Sequence, residues 1–134
     1  TTVTDQRAVR AVLAAEIALG RVPAEMPHNN PGYDILSVPQ PDANGVRGPS
    51  VFIEVKGRVE GADHFHVSYN QVMAGRNTPG ENRLALVSVS DRGPEFDEVR
   101  YITDYFRNFS FGGTDAAGVS LEWRKVWAKA KQPH

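Results

Sequence analysis

Acidic and basic side chains suited to work on a phosphodiester stand at two places in the sequence. Glu54 and Lys56 lie in Val51-Phe52-Ile53-Glu54-Val55-Lys56-Gly57, an apolar, β-branched run that reads as a strand. A strand repeats every two residues, so both side chains project from one face. Asp34 lies 20 residues earlier, near the start of a second strand-like run, Tyr33-Asp34-Ile35-Leu36-Ser37-Val38. Two carboxylates on adjacent strands can share one hard cation such as Mg²⁺ or Mn²⁺, which takes oxygen ligands and keeps several waters. A lysine beside that cation can orient the attacking water or help remove its proton, while the cation stabilises charge on the phosphoryl oxygens.

Taken alone, Glu-x-Lys is common: with 8 Glu and 4 Lys in the chain, roughly one shuffled sequence in four or five contains it. Other candidates carry two readings each. Glu16 falls within an apolar helical side, where an unpaired carboxylate costs free energy; a salt bridge and a site carboxylate both satisfy that position. Gln71 either completes a helix cap with Ser68 or hydrogen-bonds water or phosphate at the site. His64-x-His66 shares one strand face, but two ligands do not make a zinc site; a polar strand edge, or a place near the scissile phosphate, are the readings left. Gly112-Gly113 is expected to be a turn, because no Gly-Lys-Ser/Thr follows it. No Gly-x-Ser-x-Gly nucleophile context exists.

These residues need elements to hold them. A first helix is expected from an N-cap at Thr4 to a stop at Gly20, with Val9, Val12, Leu13, Ile17 and Leu19 on one side and Pro23 just beyond. The two strands around Asp34 and Glu54 suggest an antiparallel hairpin with the long Pro39–Pro49 connection. Phe65–Val67 adds a short strand, and Ser68 with Gln71 opens a helix to about Arg76. Arg83–Val89 is nearly continuously apolar, as a strand buried on both faces would be. Val99–Phe106 reads as strand then turn. Trp123, Val126, Trp127 and Ala130 have helical spacing, with Val119–Trp123 able to start as a strand; the tryptophans are expected in the core.

Composition bounds the rest. The chain has 134 residues, 40% hydrophobic and 23% charged, one ordinary globular domain. It has no cysteine, which removes disulfides, thiolate zinc sites and cysteine nucleophiles and fits a reducing, cytoplasmic setting. No apolar run is long enough to span a membrane, and the first residues lack a signal-peptide pattern. With 15 basic and 16 acidic residues the net charge is −1, so a strongly basic nucleic-acid coat is absent. The tail from Glu122 is locally basic; Lys125 and Lys129 suit either a solvated helix face or phosphate contact.

In order, a glutamate-bearing helix, Asp34, Glu54-Val55-Lys56 and a further helix resemble the PD-(D/E)XK restriction-endonuclease-like superfamily. Asn30-Pro31-Gly32-Tyr33-Asp34-Ile35, then Phe52–Gly57, then Ser68-Tyr69-Asn70-Gln71 before Ala74 more closely resemble the protein NO VEIN C-terminal domain family, over about Glu16 to Val89. The resemblance implies an α/β (α+β) restriction-endonuclease-like core, a mixed central β-sheet flanked by helices. It implies a divalent-metal-dependent endonuclease-like hydrolase acting on DNA and leaving 5′-phosphate and 3′-hydroxyl ends. Asp34, Glu54 and the Val55 carbonyl would hold Mg²⁺ or Mn²⁺, Lys56 would orient water, Glu16 would support a second metal or the water shell, and Gln71 would position water or phosphate. Arg58, Arg76, Lys125 and Lys129 are candidate grips on the DNA backbone. The single domain, 1–134, is expected to be excised from or appended to a larger helicase-like or DNA-defence protein, with a homodimer as a further possibility implied by relatives. The alternative function is a catalytically inactive nucleic-acid-binding or protein-interaction module of such a protein.

Overall fold

The computed structural model describes residues 2–30, 32–109 and 118–134; Pro31 and the Gly112-Gly113 turn lie outside them. Helix α1 (Val3–Ala18) starts from Thr2, whose hydroxyl accepts from the Asp5 N–H at 3.1 Å while the Asp5 carboxylate accepts from the Thr2 N–H at 3.3 Å. This reciprocal box selects Thr2 over the expected Thr4, because the residue three beyond Thr4 is Arg7, which has no acceptor to offer. Gly20, at φ +86°, lies just past its end.

The buried stripe of α1 is Ala8, Val12 and Glu16, whereas Ile17 and Leu19 are exposed. The apolar side is therefore centred on smaller residues than expected. The reason is close approach: a Cβ on Gly57 would collide with the Cβ of Ala8, so the helix lies almost on the sheet there.

The chain continues through β1 (Arg21–Glu25), β2 (Ile35–Pro39), β3 (Val51–Val59), β4 (His64–Ser68), α2 (Tyr69–Asn77) and β5 (Glu81–Val89). It ends with β6 (Glu98–Thr103), β7 (Gly118–Glu122) and α3 (Trp123–Lys129). Five strands form one sheet in the order β1-β2-β3-β5-β6. β3 and β5 run parallel, and every other neighbouring pair is antiparallel. The hairpin expected around the Pro39–Pro49 connection is β2–β3. β1 goes beyond the sequence reading; Pro23 sits within it, tolerated because β1 is the sheet's edge. β4 and β7 pair separately.

β5 is buried almost throughout and splits its side chains between two cores, as expected of a strand covered on both faces. Ala85, Val87 and Val89 join Ala8, Val12, Ile35, Ile53 and Tyr101 under α1. Leu84 and Leu86 join Val67, Val72, Phe106, Trp123 and Val126 on the opposite face. Trp123 and Trp127 stack with centroids 5.5 Å apart, in the packed role expected of them. α1 is fixed further by Arg7, which contacts the buried Asp97 carboxylate at 2.6 Å and the Ser90 carbonyl at 2.9 Å.

Gly32 combines a left-handed φ of +101° with a position where any Cβ would collide with Ala74 of α2. This contact joins the segment before Asp34 to the helix carrying Gln71. Gly32→Ala meets both backbone strain and overpacking, and should lower stability by about 2–4 kcal/mol. Urea unfolding of the two proteins checks this, with a lower midpoint expected at unchanged slope.

Candidate active site

β3 is longer than its partner on one side. It pairs with β5 from Val51 to Val59 but with β2 only from Val51 to Ile53. The Ile53 carbonyl accepts the Asp34 N–H at 2.9 Å, closing the β2 ladder. At the next such position the Asp34 carboxylate replaces the missing strand: its Oδ2 accepts the Val55 N–H at 2.7 Å. Residues 53, 55 and 57 thus turn their backbone groups toward the β2 side, and beyond Ile53 that edge has no strand against it. The Val55 carbonyl lies on this open edge.

A cavity of about 410 Å³ occupies the gap. Asp34, Glu54, Val55 and Gly57 line it from the sheet, Asp5, Gln6, Val9 and Arg10 from α1, Glu25 to His28 from the end of β1 onward, and Gln71 from α2. The close contact between α1 and Gly57 brings the first turns of the helix to the cavity.

Asp34 and Glu54 converge in this cleft. Glu54 is only 3% exposed. Burial pushes its carboxyl well above the usual range, the negative charge and hydrogen bond of Asp34 push it further, and the Lys56 ammonium opposes them. Two adjacent carboxyls in such a place share a proton unless a cation joins them, in which case both can ionise. Their oxygen-only chemistry fits a hard divalent cation, with Asp34, Glu54 and the Val55 carbonyl as the donors available. No cluster of three or more His, Cys, Asp or Glu able to hold a metal occurs among the described residues, so such an ion would keep water in its remaining positions.

Lys56 donates from Nζ to Gln71 Oε1 at 2.8 Å. The same oxygen accepts the Ser68 N–H at 3.0 Å, while the Ser68 hydroxyl accepts the Gln71 N–H at 3.1 Å. Gln71 therefore caps α2, the first of its two readings, and with the same amide oxygen it orients Lys56, a contact that the sequence did not suggest.

Other expected site residues lie elsewhere. Glu16 does not line the cleft. Both its oxygens are held by Arg21, at 2.6 and 2.8 Å, and the Tyr101 hydroxyl donates to it at 2.7 Å. Of its two readings, the salt bridge describes this position: both oxygens of Glu16 are turned to Arg21 and Tyr101, away from the lining of the cleft. Arg76 is likewise committed: its guanidinium donates to the Phe106 carbonyl at 3.0 Å and to the Phe109 carbonyl, bracing the turn at Tyr105–Asn108 rather than reaching for a ligand. Arg58 is exposed on β3, in phase with Glu54 and Lys56. Lys125 pairs with Glu122 at 2.7 Å, and exposed Lys129 closes α3; neither lines the cleft. His64 and His66 are exposed on β4, with His64 beside Arg124 and Lys125 in a separate shallow depression. Sequence reading missed Gln6, Arg10, Glu25 and His28, because helical spacing does not show which exposed face meets a strand gap.

The sheet order, the flanking helices and this strand-split cleft define a restriction-endonuclease-like fold. Among solved structures, the Holliday junction resolvase Hjc of Archaeoglobus fulgidus is similar with a TM-score of 0.60 and 17% identity, covering 96% of this chain and 90% of that one. No curated protein sequence matches. Residues 4–102 match the family described as Protein NO VEIN, C-terminal, and the chain belongs to that family.

The Glu16 network predicts a stability effect separate from the cleft. Burial raises the Glu16 carboxyl, but hydrogen bonds from Arg21 and Tyr101, with the Arg21 charge, outweigh it and leave the group below its ordinary value of 4.5. A lowered folded-state value means the contribution is present above the unfolded value and lost as pH falls through the folded one. Glu16→Gln should cost about 3 kcal/mol or more near neutral pH, with a smaller difference from the parent at about pH 3. Urea unfolding at the two pH values checks both the size and the sign.

Proposed function

We propose that this domain is a divalent-metal-dependent nuclease that hydrolyses DNA phosphodiester bonds at the Asp34–Glu54 cleft. The observation that carries the proposal is the arrangement at the β2–β3 gap. Two converging carboxyls and an open-edge carbonyl share it, with Lys56 held next to Glu54 by Gln71. Likeness to a Holliday junction resolvase supports a nuclease-type fold for this chemistry.

Asp34, Glu54 and the Val55 carbonyl would hold Mg²⁺ or Mn²⁺, with the remaining positions open to water and phosphate. When bound, the cation would supply Lewis-acid stabilisation of charge on the phosphoryl oxygens. Asp34 does two things at once: it ends the β2 ladder and fixes the position of Val55. Lys56, whose Nζ is directed by Gln71, orients the water that attacks phosphorus in line; as that P–O bond forms the P–O3′ bond breaks, the water's proton passes to solvent, and the 3′-oxygen leaves as a hydroxyl protonated by a second water. Gln71 in turn is fixed by the α2 cap, so helix capping and lysine placement depend on the same amide. Arg58, exposed on the same strand face, extends the positive side of the site toward a phosphate backbone. A helicase-like or DNA-defence parent protein, implied by the family resemblance, belongs to the same proposal.

Cleavage of single-stranded and duplex DNA with Mg²⁺ or Mn²⁺ tests this reading. Wild type should cut, and Asp34→Asn and Lys56→Ala should each lose roughly 100-fold or more, as removal of an electrostatic catalytic group does. In parallel, saturating Mn²⁺ should raise the melting temperature of wild type by several degrees through mass action, and Asp34→Asn should abolish that rise. DNA that is bound but uncut by wild type would assign the chain to the alternative class, a nucleic-acid-binding module.

A further inference from the structure

The cleft is lined by four carboxylates, those of Asp5, Glu25, Asp34 and Glu54. Arg10 is the one arginine among the cleft-lining residues; Lys56 is not itself among them and reaches the cleft through its hydrogen bond to the lining residue Gln71. Arg10 is exposed, and among the described residues no ion pair or hydrogen bond engages its guanidinium. Several other arginines are committed: Arg7 to Asp97, Arg21 to Glu16, Arg83 to Glu81 and Arg107 to Asp104. Arg10 follows Gln6 by four residues on α1, so the two share a helix face, and both line the cleft. The Asp5 carboxylate beside them accepts from the Thr2 N–H, within its own helix cap.

We propose that Arg10 is the phosphate-positioning residue of this site, gripping a backbone phosphate of a nucleic-acid strand that crosses the cleft. The inference rests on the nuclease reading and names the residue that admits its substrate. A polyanion approaching this acid-lined cleft meets repulsion, and the Arg10 guanidinium is the positive charge on its α1 wall. Its planar fork matches two phosphate oxygens, which a point-charge ammonium does not. α1 carries that fork on a helix pinned to the sheet at Gly57 and to the Ser90–Asp97 segment through Arg7. The backbone that carries Arg10 is therefore held on the same cleft as Asp34 and Glu54. Arg10 acts on binding and register, not on the bond that breaks.

The test measures binding of a duplex oligonucleotide by fluorescence anisotropy in Ca²⁺ across a salt series, for wild type, Arg10→Ala and Arg10→Lys. Arg10→Ala should weaken binding about 10-fold at moderate salt and reduce the salt slope by about 0.9, the loss of one phosphate contact. Arg10→Lys should recover the slope but only part of the affinity. In Mg²⁺ cleavage, Arg10→Ala should raise KM about 10-fold with kcat within about 3-fold of wild type, the pattern of lost uniform binding. The Mn²⁺-induced rise in melting temperature should stay as in wild type. An unchanged salt slope and KM in Arg10→Ala, with wild type cutting and Asp34→Asn inert, overturns the Arg10 assignment alone. A wild type that neither binds nor cuts DNA overturns the nuclease reading and this assignment with it.

Discussion

A single hydrogen bond, from the Val55 N–H to Asp34 Oδ2 at 2.7 Å, stands where a β-ladder would otherwise continue. β2 ends while β3 runs on, and an edge left unpaired inside a fold has to find other partners. The Asp34 carboxylate satisfies one group of that edge and in doing so is held beside Glu54. The same vacancy leaves room for α1 to reach the sheet at Gly57 and makes the cleft wall. The carboxyl pair, the open carbonyl and the helix wall all follow from the mismatch in length between two neighbouring strands.

The fold uses buried carboxylates in two opposite ways. Glu16 is completely buried and fully paired, with Arg21 and Tyr101 holding it in its charged form. Glu54 is almost as buried, but its neighbours are another carboxylate and one lysine, and its charged form is disfavoured. The first arrangement stabilises the joint between α1, β1 and β6. The second arrangement disfavours the charged form of Glu54 until a cation arrives. Helix α1 connects them, with Glu16 near its end and Arg10 and Gln6 nearer its start.

Much of this was legible in residue order. The β-branched run Val51–Gly57 is a strand, Asp34 sits just ahead of its neighbour β2 rather than within it, and Ser68 with Gln71 does cap α2. Periodicity placed Glu16 on the buried side of α1 but could not choose its partner, because Arg21 lies beyond the helix stop and Tyr101 lies 85 residues away in sequence. β1 was hidden by Pro23, whose acceptability depends on an edge position that only the assembled sheet defines. Arg76 looked like a surface cation, yet its carbonyl partners come from a turn some 30 residues later. The family match over residues 4–102 and the restriction-endonuclease-like fold agree with the motif reading. The cleft wall formed by Gln6, Arg10, Glu25 and His28 required the strand gap itself.

The Asp34–Glu54 pair at the β2–β3 gap is the proposed cation site. Paramagnetic broadening of backbone amide NMR signals by substoichiometric Mn²⁺ tests it directly. A cation held there gives selective loss of signals from Asp34, Ile53–Gly57 and the cleft-facing turns of α1, with β7 and α3 spared and the effect absent in Asp34→Asn. Uniform weak broadening, or selective loss centred elsewhere in the domain, would contradict it.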